Sequence, residues 1–417
     1  MGMTLAQKII ASSSDRPSVE VGEIVEVNID LAMMHDSSGP RRVNPMLEEL
    51  GVSVWDPEKI TVVSDHFVAS SDTVEAGILK FTRDWVKEHG IRKFHEREGI
   101  CHIVPIERGY VRPGMMYVGA DSHSTTAGAM GAFAIALGST DMLGVLVRGK
   151  TWVKVPETIK VKWNGTLKPG VMAKDMMLQT IKHTKIDGAT YKAVEFSGQG
   201  VVNLSIDERI VLSNMAIEMG AKAGMIEPDE VTANYVRART QEPFQMVEAD
   251  DDAEYQEFFE FDASSLTPMI ALPHSPDNVT TVAEVEGKKL DQAYIGACTG
   301  AKYEDLEAAA SILKSRQIAS GTRLLVAPSS AEVIKRSSQT GVLETLIEAG
   351  ATLLPTGCGA CAGLGNGVLA EGETCISSTN RNFPGRMGKG ADVFLASPLT
   401  VAASAITGKI TDPREFL

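Results

Sequence analysis

The chain has 417 residues, 43% hydrophobic and 23% charged, the balance of a soluble globular protein with room for two or three domains. A net charge of −14 sets it against nucleic acid and anionic lipid as partners; no apolar run reaches bilayer length, and the N-terminus lacks a charged-then-apolar export signal. Five cysteines, an odd and sparse set, argue against a disulfide framework and for a reducing cytoplasm. In chain order, apolar alternation and short β-branched runs predict strands at 22–29, 60–64, 117–120, 159–163, 192–196 and 324–327. Helical patterns alternate with them. One covers 73–89, with Asp72 as N-cap. A second covers 206–220, behind Ser205 with Glu208 at capping-box spacing, and others cover 303–314 and 330–341.

This alternation predicts an α/β fold. Breaks at 164–170 and about 279–290 suggest three α/β domains, 1–165, 166–288 and 289–417. The run of small residues at 127–136 suits close helix packing. The stretch 247–265 carries eight acidic residues and no Lys or Arg. It reads as a solvated surface segment or an interdomain connection, and no chemistry is assigned to it.

Cys298 stands in Ile-Gly-Ala-Cys-Thr-Gly, and Cys358 and Cys361 form a Cys-x-x-Cys in the glycine-rich run 357–367. Three thiolates are one short of a closed tetrahedral zinc site or a fully cysteine-ligated cluster. A structural zinc would want a fourth ligand, and Cys375 is available. On spacing alone, cluster and zinc both stand. Gly363-x-Gly365-x-Gly367 lacks the spacing of a nucleotide fingerprint.

Other residues suit acid–base work. In Asp65-His66 a carboxylate beside an imidazole raises its pKa and orients it, provided a turn lets neighbouring side chains meet. Asp121-Ser122-His123 follows an apolar strand, a junction that commonly builds sites but equally suits a helix N-cap. Asn214 lies one helical turn before Glu218, on the same face. Arg381 and Arg386, in Asn380-Arg381-Asn382-Phe383-Pro384-Gly385-Arg386, present forks suited to bidentate carboxylate binding.

The cysteine motifs, Asp121-Ser122-His123, the Asn380–Arg386 run and Cys298-Thr299 followed by Tyr303-Glu304-Asp305-Leu306 occur together and in order. They resemble the aconitase superfamily over about residues 3–410. The length and Met3-Thr4-Leu5-Ala6 resemble its branch of large subunits acting on substituted malates. The resemblance implies three aconitase-type α/β domains around a cluster-binding cleft, without the swivelling domain that carries the family's catalytic serine. It implies a 4Fe–4S cluster on Cys298, Cys358 and Cys361, with one iron lacking a protein ligand.

By the same resemblance, Asp65 and His66 match the pair that protonates the leaving hydroxyl. His102, Asp121, Ser122 and His123 match cluster-pocket residues, and Glu218 matches a glutamate near the substrate hydroxyl. His35 (a glutamine in aconitase proper), Asn214, Asn380, Arg381 and Arg386 match substrate-side positions. The chain departs from many relatives at Thr299-Gly300-Ala301, Ser124-Thr125-Thr126 and Gly359-Ala360.

The implied activity is that of a cytoplasmic hydro-lyase that isomerises a substituted malate, a small di- or tricarboxylate. 3-Isopropylmalate comes first, with homoaconitase or 2,3-dimethylmalate- and citramalate-type hydration as alternatives. A separate small subunit is expected to carry the swivel domain and serine. No nucleic acid and no membrane is expected. An RNA-binding regulator is the alternative of another class; the net charge opposes it, and a salt titration of binding would decide it.

Overall fold

The computed structural model describes residues 2–417 and divides them into two compact units. Unit 1 comprises residues up to 96, 101–164 and 187–261; unit 2 comprises 97–100, 165–186 and 262–417. Among the described residues no helix is long and apolar enough to cross a membrane.

Unit 1 contains strands β1 (Ile24–Asn28), β2 (Leu31–His35), β3 (Ile60–Ser64), β4 (Lys93–Glu96), β5 (Met116–Gly119) and β6 (Phe133–Ala136). They are followed by β7 (Lys150–Lys154), β8 (Thr158–Asn164), β9 (Ala193–Ser197), β10 (Ala223–Ile226) and β11 (Glu257–Asp262). Strands β4-β3-β2-β5-β6 form a wholly parallel sheet. Successive strands run outward from β2 on one side and from β5 on the other. The switch point therefore falls between β2 and β5, where open parallel sheets place their ligand sites at the carboxyl ends. A second sheet has the order β10-β9-β8-β11, and β1 pairs antiparallel with β7.

Unit 2 has β12 (Met269–Ala271), β13 (Val279–Thr281), β14 (Gln292–Ile295), β15 (Arg323–Val326), β16 (Thr352–Leu353), β17 (Thr374–Ser377) and β18 (Asp392–Ala396). They form one sheet, β13-β12-β18-β17-β14-β15-β16, parallel from β18 to β16. Its switch point lies between β14 and β17. The core of this unit packs helices Tyr303–Leu313 and Pro398–Thr407 through residues such as Leu306, Ile312, Val401 and Ala405, all fully buried.

The α/β expectation holds, and so do several local assignments. Asp72 caps the helix Thr73–Glu88 through the N–H groups of Val74 and Glu75. Ser205 caps Ile206–Met215 by accepting from Glu208 N. The small-residue run packs closely, in a 3-10 helix over Ser122–Met130 whose Gly128 lies against Gly224, and it ends in the strand Phe133–Ala136. One expectation needs correction. The acidic stretch is not simply solvated connection. Glu257–Asp262 is strand β11, where Glu257 and Glu260 pair with Lys192 and Lys162.

Candidate active site

In unit 1 the candidate residues leave the carboxyl ends of the parallel strands. His35 ends β2, Asp65 and His66 follow β3, and Asp121 follows β5. A bend after β3 lets Asp65 and His66 meet, with His66 Nδ1 2.7 Å from Asp65 Oδ1. The other Asp65 oxygen accepts Cys101 N–H at 2.7 Å. Burial works against its charge, but His66, His35 and the Cys101 N–H hold Asp65 below the usual carboxylate range. With Nδ1–H given to Asp65, Nε2 is the nitrogen His66 can offer to a substrate.

Asp36 is a residue that motif reading missed. Fully buried, it accepts the N–H of His66 at 3.1 Å and of Phe67 at 3.0 Å, one on each oxygen. It clamps the backbone beneath the acid. Its signal was its position beside His35 at a strand end, which spacing alone does not distinguish from a turn.

The His35 ring stacks on the His66 ring and lies 3.5 Å from Asp121 Oδ2 across the switch point. Burial opposes protonation of His35, but Asp121, Asp36 and Asp65 outweigh it and raise its pKa to about 10. The Ser37 N–H aimed at Nδ1 favours the neutral ring. Three surrounding carboxylates against one amide leave the cation as the stronger reading.

Asp121 links the remaining histidines. Its Oδ1 lies 2.8 Å from His102 Nε2 and accepts His123 N–H at 3.0 Å. Burial raises the pKa of Asp121, yet His102, His123 and His35 together hold it well below the usual range. The His102 pKa is also lowered, chiefly by burial. Both partners cannot gain from one charged pair. Asp121 has three histidine neighbours, so it is the ionised member, and His102 is a neutral Nε2–H donor whose buried Nδ1 has no partner among the described residues.

His123 Nε2 reaches Glu218 Oε1 at 2.8 Å, 95 residues away. Gly128 and Gly224 make that reach feasible. A Cβ on Gly128 would stand 1.9 Å from the Gly224 carbonyl oxygen, so only glycine lets the 3-10 helix lie against β10. Asn214 donates to Thr126 Oγ1 at 2.7 Å, and Ser122 opens the 3-10 helix, half-buried. The structure thus brings His35, Asp65, His66, His102, Asp121, His123 and Glu218 into one run of contacts.

In unit 2 the cysteines follow the same topological logic. Cys298 lies three residues past β14 and Asn380 three past β17, on the two sides of the switch point. Asn380 Nδ2 is 3.5 Å from Cys298 Sγ, and its Oδ1 is 3.7 Å from Cys361 Sγ. Cys358 and Cys361 sit at a 3-10 turn, Gly359–Ala362. Gly363 brings this loop against the arginine loop; with φ +72°, its Cβ would meet the Arg386 carbonyl oxygen at 2.8 Å. Asn382 pins the arginine loop by donating to the carbonyls of Leu272 and Val393. Arg381 and Arg386 are half-buried there.

Sulfur spacing bears on the choice between zinc and cluster. A single tetrahedral zinc holds its sulfurs roughly 3.8 Å apart, given a Zn–S bond near 2.3 Å. Among the described residues, the groups of three or more ligand atoms within 4.8 Å of one another are His35-Asp36-Asp65-His66 and His102-Asp121-His123, and the cysteines form no such group. Cys298 and Cys361 both meet the Asn380 amide without closing into such a group, with Cys358 on the same turn as Cys361. In the histidine groups, the carboxylates already accept protein N–H groups. Cys375, the fourth zinc candidate, is fully buried in β17, and burial pushes its thiol well up, away from the thiolate a metal needs.

Three buried residues around the cysteines went unread. Lys174 Nζ donates to Thr299 Oγ1 at 3.3 Å and to the carbonyls of Ser378 and Thr379 at 3.1 and 2.6 Å. It ties the Cys298 loop to the Asn380 loop. Burial lowers its pKa to about 8, against support from Cys361. Lys302 holds Asp305 Oδ2 at 2.5 Å and reaches the Cys298 carbonyl. Tyr294 stands in β14, and among the described residues its hydroxyl has no hydrogen-bond partner. The Lys174-Asp175 charges inside an apolar run were a signal that could have been noticed. The departure at Gly300 has a cause: a Cβ there would stand 2.1 Å from Ser378 Oγ, which fills that space and bonds Gly296 and Gly300.

A cavity of about 900 Å³ in unit 1, lined in part by Asn28, Asp30, Lys93, Tyr110, Arg112 and Phe244, contains none of these residues. Its size does not make it the reaction site, since the paired histidines and carboxylates lie elsewhere.

The model of the aconitase family (aconitate hydratase) matches residues 7–408. The chain belongs to the aconitase family. A 3-isopropylmalate dehydratase large subunit of Methanopyrus kandleri is 51% identical over the whole of both chains. A probable methanogen homoaconitase large subunit of Methanosarcina mazei is 47% identical over 93% of this chain and 99% of its own. An Aquifex aeolicus 3-isopropylmalate dehydratase large subunit is 44% identical over 100% and 98%. Among solved structures, the crystal structure of Thermococcus kodakaraensis aconitase X (holo-form) shares the fold, with a TM-score of 0.50 at 12% identity, covering 86% of this chain and 84% of that one. The family resemblance read from the motifs is borne out.

Proposed function

We propose that this aconitase-family chain is the cluster-bearing large subunit of a hydro-lyase that isomerises 3-isopropylmalate. The observation that supports the chemistry is the Asn380 amide meeting both Cys298 and Cys361, with Cys358 on the adjoining turn and the three thiols not closed into a single-ion group. The full-length likeness to subunits of that name carries the substrate. The residues present fit a 4Fe–4S cluster on Cys298, Cys358 and Cys361. When bound, such a cluster keeps one iron free of protein thiolate and supplies Lewis acidity toward a substrate hydroxyl and carboxylate.

The chain's own residues supply the acid and the substrate contacts. His66, oriented by Asp65 through Nδ1 and held by Asp36 at its backbone, gives a proton from Nε2 to the departing hydroxyl, which leaves as water. Arg381 and Arg386 hold carboxylate. His35 contacts substrate, while His102, Asp121, Ser122 and His123 line the pocket, with Glu218 near the hydroxyl and Asn214 beside it. The base that removes the carbon-bound proton is a serine on a small subunit, in keeping with relatives named as large subunits. Re-addition of water at the neighbouring carbon completes the isomerisation.

The likeness to the Methanosarcina protein makes homoaconitate the competing substrate. The test mixes anaerobically loaded chain with its small subunit and measures hydration of isopropylmaleate and of homoaconitate. Higher kcat/KM with isopropylmaleate supports the proposal. Preference for homoaconitate moves the chain to the homoaconitase branch, and full activity without a small subunit ends the two-subunit reading.

A further inference from the structure

Tyr294 is fully buried, and its ring sits where Gly296 leaves room for it. A Cβ on Gly296 would stand 2.2 Å from the ring and 2.8 Å from the hydroxyl oxygen. A Cβ on Gly367 would meet the ring at 3.4 Å, and one on Gly359 would meet the hydroxyl at 3.6 Å. Gly359 follows Cys358 directly, so the hydroxyl lies against the paired-cysteine turn. Phenylalanine would fill the same space without burying a donor. An orphaned buried hydroxyl is costly and calls for an acceptor that the protein alone does not provide.

We propose that Tyr294 Oη donates a hydrogen bond to sulfur on the Cys358–Cys361 side of the bound cluster and thereby sets the cluster's reduction potential. This rests on the cluster reading above. A donor aimed at sulfur stabilises the more negative, reduced form, so it raises the potential. A tyrosine hydroxyl is protonated at neutral pH, so it can donate to an acceptor set against it. Tyr294 is thus a tuning residue that touches the cofactor, in a strand position where packing alone would accept an aromatic ring of either kind.

The test loads the full chain anaerobically as wild type, as Tyr294→Phe, and with 3-fluorotyrosine, a stronger donor, at position 294. Iron and acid-labile sulfide are measured first, then the midpoint potential by an EPR-monitored titration. The proposal expects Tyr294→Phe to shift the one-electron equilibrium roughly tenfold away from the reduced form, about 59 mV downward. Fluorotyrosine should shift it upward. Unchanged potentials at full iron loading overturn the proposal and leave the cluster reading intact. If Tyr294→Phe fails to load, the fluorotyrosine protein decides alone, and an unchanged potential there is equally fatal. Absence of iron and sulfide from the wild-type chain removes the cluster reading itself.

Discussion

The imidazole of His35 lies flat on that of His66, centroid to centroid 4.0 Å and 9° from parallel. Asp65 Oδ1 accepts a hydrogen bond from His66 Nδ1, and Asp36 Oδ1 accepts one from the His66 backbone N–H. The ring is therefore fixed in plane, in depth and in tautomer, which is what a proton donor to a leaving hydroxyl requires.

His66→Asn should lower turnover by roughly 10²- to 10⁴-fold, the usual contribution of a general acid. Iron and sulfide content should not change, because His66 lies outside the cysteine set. Steady-state kinetics of the reconstituted enzyme, with metal analysis of the same sample, checks both halves. A loss below about tenfold would make His66 a structural residue.

Asp36→Asn keeps the shape but replaces one acceptor oxygen with a donor facing an N–H. The buried mismatch should cost about 1–3 kcal/mol in urea unfolding. It should also lower kcat more than it changes KM, because the backbone under His66 shifts. Wild-type kcat in a folded Asp36→Asn enzyme would remove Asp36 from the positioning role.

Glu195, fully inside β9, accepts Ala6 N–H and the Tyr255 hydroxyl. Burial is the main cause that pushes its pKa from 4.5 to about 7. Between those values the folded chain holds a proton that the unfolded chain has lost, so stability falls as pH rises from 4.5 to 7 and is flat above. The full contribution is on the order of 3 kcal/mol. Glu195→Gln should flatten that slope and gain stability relative to wild type at pH 8, as read by denaturant unfolding across pH. A slope unchanged in the variant would assign it to other groups.

Pairs close in sequence were the readable part of the site. Asp65-His66 and Cys358-x-x-Cys361 meet within one turn, so residue type and spacing carry the information. The helix Thr73–Glu88 was readable for the same reason, since its cap and its amphipathic face are local. Contacts of long range were not readable from spacing. Glu218 meets His123 only because Gly128 and Gly224 let two elements close together, and Lys174 reaches Thr379 across 205 residues. Resemblance supplied Glu218; nothing supplied Lys174. Tyr294 was invisible because an aromatic in a strand is what β-propensity expects. Strands β2 and β14, buried on both faces, lack the alternation that marks exposed strands.

The iron and sulfide content of the anaerobically loaded chain and its Cys→Ser series tests the central claim most directly. Wild type, Cys101→Ser and Cys375→Ser should each hold iron and sulfide in equal amounts, near four of each. Cys298→Ser, Cys358→Ser and Cys361→Ser should each lose most of both. One zinc without sulfide in the wild-type chain, full loading in Cys358→Ser, or a loss confined to Cys375→Ser would contradict the account.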